Sequence, residues 1–156
     1  MRRKHTIPKF VEDVVHPDTY ERWLARKAAA HCKRDRSRGC AGVTQSLYKE
    51  AIHAAVLLSE GRDAYTGEWL NWDLISTYKN EDSKTGKHAY KSGFALLPTV
   101  DHIAAGATEA SFRICAWRTN DAKSDLSSEE FIELCLKVVT RAGYSVCEPG
   151  ACADSG

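Results

Sequence analysis

A chain of 156 residues with 43% hydrophobic content can bury one substantial core but not two, which predicts one compact domain with an extension. No apolar run approaches the roughly 18 residues of a membrane span, and the opening MRRKHTIPKFVEDV is basic without the apolar stretch of a signal peptide, so a cytoplasmic protein with no membrane partner is expected. The formal net charge of +1 conceals a split: residues 1–40 hold 11 Lys and Arg against 5 Asp and Glu, which suits an anionic polymer as well as it suits the solvated face of a helix.

Helices are expected at both ends of the chain, with irregular or β structure between them. In TYERWLARKAAAHCKRDRSRG, Asp18 is placed to cap and Glu21 to complete a capping box, while Tyr20, Trp23, Leu24, Ala28 and His31 recur on one helical face. The other face carries Arg22, Arg26, Lys27, Lys33, Arg34, Arg36 and Arg38, the candidate phosphate contacts, and Gly39 stops the run. Thr44 to Ser59 reads as a weakly charged packing helix with Leu47, Tyr48, Ala51, Ala55 and Leu58 inward and Gly61 at its end. From Asp63 to Gly93, the turn YTGEW and the polar NEDSKTGKHAYKSG predict loops with short strands or single helical turns. FALLPTV and SFRICAW are two short apolar runs around AAGATEA, the pattern of a β-hairpin with a wide loop. Asn120 to Lys123 then reads as the first turn of a helix, and Ser127 with Glu130 forms a capping box ahead of the stripe Phe131, Leu134, Cys135 and Val138. The organisation expected is a basic helical extension over 1–62, a core over 63–142 and a loosely held tail over 143–156. Six cysteines form no close C-x-x-C pair, and we read them as reduced thiols.

The chemistry concentrates in LLPTVDHIAAGATEASFRICAWRTNDAKSD. A strand, a loop, a second strand and a helix fold back so that strand-end and helix-start side chains face one another, which brings Asp101 toward Asn120. Both offer hard oxygen atoms, the donors Mg²⁺ prefers while it keeps several waters and shares its coordination with phosphate. His102 points the other way on an extended backbone; as a neutral imidazole it suits proton abstraction from an attacking water. Lys123, one turn from Asn120, is placed to hold a phosphate oxygen. An isolated Asp-His pair is uninformative, and an isolated lysine is more often solvated than functional; the combination, with its strand and helix context, carries the reading.

The segments TVDHI and TNDAKSDLSSEEF resemble the HNH nucleases, and the resemblance spans residues 63 to 140. It implies an α+β domain with a ββα-metal core that hydrolyses DNA, with Mg²⁺ or Mn²⁺ held by Asp101 and Asn120 and with His102 as general base. DAYTGEWL is similar to the segment where many members carry a zinc knuckle, but Tyr65 and Thr66 stand where cysteines would be, so no structural zinc is expected. Ser111 sits near the place of the family's middle asparagine, which pins the loop between the strands. Two rivals belong to other classes: an HNH-fold nucleic-acid-binding module with weak or no turnover, and a zinc-dependent regulator built on the scattered cysteines.

Overall fold

A computed structural model describes residues 5–104 and 111–147. The protein is α+β, with helices and, among the described residues, one antiparallel two-stranded sheet. Two compact units divide between Ala122 and Lys123, so residues 5–62 and the hairpin belong to the same unit.

In the first unit a short helix α1 (Lys9–Glu12) leads into α2 (Pro17–Ser37), which begins with Pro17 at its first position. The cap differs from expectation. His16, not Asp18, holds the N-cap position, its Nδ1 accepting the Asp18 N–H at 3.2 Å. Glu21 is diverted from any capping box: it accepts from the His5 ring and from Lys49 Nζ at 2.5 Å. The expected apolar face is buried in full, and Cys32 and Asp35 extend it.

Helix α3 (Gln45–Ser59) is capped by the Thr44 hydroxyl, which accepts the Leu47 N–H at 3.1 Å. Its buried face runs through Tyr48, Ile52, Ala55 and Val56, a true i, i+4, i+7, i+8 stripe. Leu58, expected inward, is 85% exposed, because it falls outside that stripe. Glu60 and Gly61 end the helix with positive φ. A β-carbon at Gly61 would stand 3.0 Å from the Trp69 ring, so only glycine fits both the backbone and the contact.

Trp72 opens a 3₁₀ turn (Trp72–Leu74) and enters the core against Trp23, with ring centroids 5.9 Å apart. Trp69 stays outside, 57% exposed, with the Arg62 guanidinium 4.0 Å over its ring. The polar stretch read as a loop is instead a helix, α4 (Asn80–Ser92), broken at Lys87 where φ is 46°. Helical periodicity is weak there because no residue of α4 is buried. The segment is held through aromatic rings at its ends: Tyr78 and Tyr90 both lie 5.0 Å from Phe94, and the Tyr90 hydroxyl accepts the Lys79 N–H at 2.9 Å.

Strand β1 (Pro98–Ala104) begins at the proline, not at Phe94, since a residue without an N–H is tolerated as the first of a strand. It pairs with β2 (Ser111–Ala116) so that Asp101 faces Arg113 and His102 faces Phe112. Residues 105–110, which hold most of the expected wide loop, lie outside the described residues. From Ala116 the chain turns straight into α5 (Trp117–Lys123), so Asn120 to Lys123 is the last part of a short helix and not the start of a long one. Backbone N–H groups of Trp117 and Arg118, unsatisfied within α5, donate to Leu97 and Ala95 carbonyls. The core of this unit joins α2, α3, the Trp72 turn and one sheet face through Trp23, Leu24, Tyr48, Ile52, Val100 and Ile114.

In the second unit, Ser124 (φ 52°) separates α5 from α6 (Ser128–Arg141). The expected capping box is present, with Ser127 Oγ accepting from the Glu130 N–H and Glu130 Oε2 accepting from the Ser127 N–H. The tail is described as far as Cys147. Among the described residues no helix is long and apolar enough to cross a membrane.

Candidate functional site

Because side chains alternate along a strand, Asp101 and His102 leave opposite faces of the hairpin. On the Asp101 face the organising residue is Asp63, which is 2% exposed. Its Oδ1 accepts the N–H groups of Tyr65 at 2.7 Å and Thr66 at 3.2 Å, which folds the YTG segment into a turn. Its Oδ2 accepts the Ala116 N–H at 2.8 Å and the Thr119 hydroxyl at 2.7 Å, which ties that turn to the start of α5. Tyr65, so placed, donates its hydroxyl to Asp101 Oδ2 at 2.6 Å. One continuous chain of hydrogen bonds therefore runs from Asp101 through Tyr65 and Asp63 to Thr119, the neighbour of Asn120. Arg118 and Glu68 add an exposed ion pair between α5 and the same turn, a weak tie in water.

On the other face His102 enters a pocket of aromatic and polar side chains. Its ring stacks on Phe112 with centroids 4.9 Å apart and meets His31 edge-on at 5.6 Å. Its Nε2 lies 3.4 Å from Asp35 Oδ2, and the His102 side chain is 11% exposed. Asp35 is fully buried, and Oδ2 accepts the Tyr48 hydroxyl at 2.5 Å. Burial, and after it the Asp35 carboxylate, holds the Tyr48 phenol far above its ordinary range, so the hydroxyl stays a donor. Three buried atoms here have no hydrogen-bond partner among the described residues: His31 Nδ1, Asp35 Oδ1 and His102 Nε2. Each such atom costs about 1–3 kcal/mol unless satisfied, which is a cost found at functional sites more than in inert cores.

Burial, helped by the nearby Arg34 charge, lowers the His31 pKa from 6.5 to about 4. Above pH 6.5 the ring is neutral folded and unfolded and its ionisation costs nothing. Between 6.5 and 4 the unfolded chain takes a proton that the native state refuses, so stability falls as the pH is lowered, by roughly 2 kcal/mol at pH 5 and up to roughly 3 kcal/mol near pH 4. Urea unfolding at pH 7.5 and pH 5 is expected to show this loss, and His31→Leu is expected to reduce it; an equal loss in both proteins assigns the acid sensitivity elsewhere.

The seven cations of α2 and its C-cap divide. Arg22, Arg26, Lys33, Arg34 and Arg38 are exposed. Arg36 also reaches solvent, but its guanidinium donates twice to the Val43 carbonyl, at 3.1 and 2.8 Å, and secures the connection to α3. Lys27 turns inward and donates to Thr99 Oγ1 at 3.3 Å. Burial, and then the Arg26 charge, lowers its pKa to about 8, so it is a structural neighbour of β1 more than a free phosphate contact. Ser111 is exposed at the first position of β2, and Lys123 is the last residue of α5 and the first of the second unit.

Sequence reasoning missed Asp35, Tyr48 and Asp63 as partners of the motif. A signal for Asp35 existed: it is an acid on the apolar stripe of a basic helix, four residues after His31. Among the described residues no group of three or more His, Cys, Asp and Glu side chains is disposed to hold a metal ion. The pair expected here, one carboxylate and one amide, is smaller than such a group and consists of hard oxygens alone, which suits an ion that keeps its waters. No family model, no curated protein and no solved structure matches the chain.

Proposed function

We propose that the chain is an HNH endonuclease with a ββα-metal core that hydrolyses DNA phosphodiester bonds. The observation that carries this reading is the order hairpin then helix, β1, β2 and α5, with the Asp101-His102 pair on the first strand and Asn120 on the helix, and with Asp101 linked through Tyr65 and Asp63 to Thr119, the neighbour of Asn120. Asp101 and Asn120 would hold Mg²⁺ or Mn²⁺, and such an ion supplies charge stabilisation to the phosphate and the leaving oxygen. His102 takes the proton of the attacking water. Lys123 is assigned a phosphate oxygen, for which its side chain, 5% exposed, must turn outward, and Ser111 takes the place of the family's middle asparagine at the start of β2. Exposed Arg22, Arg26, Lys33, Arg34 and Arg38 contact the DNA backbone without reading bases.

The test is nicking of supercoiled plasmid with Mg²⁺, Mn²⁺ and excess chelator. Cleavage that requires the ion and disappears in Asp101→Ala, with weakened Mn²⁺ binding by calorimetry, is the expected outcome; unchanged Mn²⁺ affinity in Asp101→Ala and Asn120→Ala counts against the site. Replacing Arg22, Arg26, Lys33 and Arg34 by Gln is expected to weaken duplex binding whatever the sequence. Loss of two phosphate contacts flattens log affinity against log salt by about 1.8. An unchanged slope moves the DNA surface to another face, with Lys79, Lys84, Lys87 and Lys91 of the α4 region next.

A second reading is a nucleic-acid-binding module of the same fold with little or no turnover. The near-burial of the His102 ring, on the sheet face opposite Asp101, favours it. Duplex binding with no metal-dependent nicking selects this reading.

A further inference from the structure

The most unusual group in the chain is Asp35. It is a fully buried carboxylate on a helix otherwise rich in exposed cations, and one of its oxygens has no hydrogen-bond partner among the described residues. Buried carboxylates persist where polar neighbours compensate them, and the neighbours here are Tyr48 and His102. The Tyr48 hydroxyl pins Oδ2 at 2.5 Å, and Tyr48 itself is fully buried, so the carboxylate cannot swing freely. His102 presents Nε2 to that same oxygen at 3.4 Å, and Nε2 is also buried without a hydrogen bond. The separation is already within hydrogen-bonding reach, and with the carboxylate held by Tyr48 it is the imidazole that turns to aim Nε2 at Oδ2. Phe112 stacks on the imidazole with ring centroids 4.9 Å apart and limits how far the ring can tip.

We infer that Asp35 is the positioning residue of His102: its carboxylate takes the Nε2 hydrogen of the neutral ring, fixes the ring's orientation and leaves Nδ1 as the nitrogen that accepts the proton. A neutral imidazole carries one N–H, so a carboxylate at one nitrogen decides which nitrogen is free. The proposal rests on the nuclease reading only for the use made of Nδ1. The contact and the tautomer belong to the folded protein with or without turnover. It also assigns α2 a part in the site beyond DNA contact, since the base is held from the helix as well as from the strand.

Nitrogen-proton correlation spectra of the full chain test the contact without any cleavage. The expected result in the wild type is His102 as the Nε2–H tautomer, with an exchange-protected ring proton that is lost in Asp35→Asn and unchanged in Glu68→Gln. A folded wild type with His102 as the Nδ1–H tautomer, or with a rapidly exchanging ring proton, overturns the proposal, even if Asp35→Asn fails to fold. Kinetics then test the role. Asp35→Asn is expected to lower kcat by about 10- to 1,000-fold with little change in KM for DNA, bounded by the roughly 100- to 10,000-fold that a positioned base contributes. Adding Asp35→Asn to His102→Ala is expected to slow cleavage no further, because a residue acting only through His102 has nothing left to act on. Multiplied effects in the double variant, or a wild-type rate in Asp35→Asn, overturn it. If the wild type cuts no DNA while the protected proton is present, the nuclease reading falls and the Asp35 contact stands.

Discussion

Replacing His102 by alanine is expected to lower DNA cleavage by about 100- to 10,000-fold, equivalent to roughly 3–5 kcal/mol of barrier, with duplex affinity retained. The proposed chemistry needs a base at this position, and none of the exposed cations of α2 substitutes for it. The same change also removes a ring stacked on Phe112, so stability is expected to fall by about 2 kcal/mol or more, as for other large-to-alanine substitutions in a packed site. Rates are therefore compared well below the melting temperature of the variant, with His102→Gln alongside as a less disruptive replacement. If both variants cut as fast as the wild type while folded, His102 is not the base.

Asp63→Ala is expected to be the most damaging single change to the fold outside the apolar core. One side chain satisfies four donors from two separated segments, and the Thr119 hydroxyl and the Ala116 N–H it serves are buried. Each abandoned donor costs about 1–3 kcal/mol, so a total near 3–5 kcal/mol is expected. That is a large part of the 5–15 kcal/mol typical of a whole domain. Asp63→Asn, which can offer only one acceptor oxygen, is expected to fall between alanine and wild type. Denaturant midpoints read the order directly, and equal midpoints for all three proteins would show that the turn and α5 hold together without Asp63. Mn²⁺ affinity measured on folded Asp63→Asn is expected to weaken as well, since the link from Asp101 to the neighbour of Asn120 passes through this carboxylate.

Local patterns that act over a few residues were legible. The buried stripe of α2, the helix beginning near Thr44, the paired strands around Asp101 and the Ser127–Glu130 box all follow from spacing over short stretches of chain. The longest element that escaped was α4, whose residues bury nothing and so leave no hydrophobic period to read; its order depends on rings at Tyr78, Tyr90 and Phe94 meeting across the break at Lys87. Leu58 misled for the opposite reason, since it is apolar yet one step out of phase with Tyr48, Ile52 and Val56.

The candidate site divides in the same way. By itself the sequence determined which residue types stand together, Asp101 beside His102, with Asn120 a short hairpin later, and strand alternation already sent the first two to opposite faces. It also determined that α2 is basic on one side. Only the tertiary structure decided what each of these groups touches. Asp35 lies 67 positions from His102, Tyr48 lies 13 from Asp35, and Asp63 lies 56 from Thr119, separations at which no periodicity or cap connects two residues. The same holds for Lys27, which has the spacing of a solvated cation and the environment of a buried one, because β1 happens to pass beneath it with Thr99. Composition and period report how a residue sits on its own element; burial, pairing and proton affinity depend on which other element arrives there, and that is decided only when the chain closes on itself.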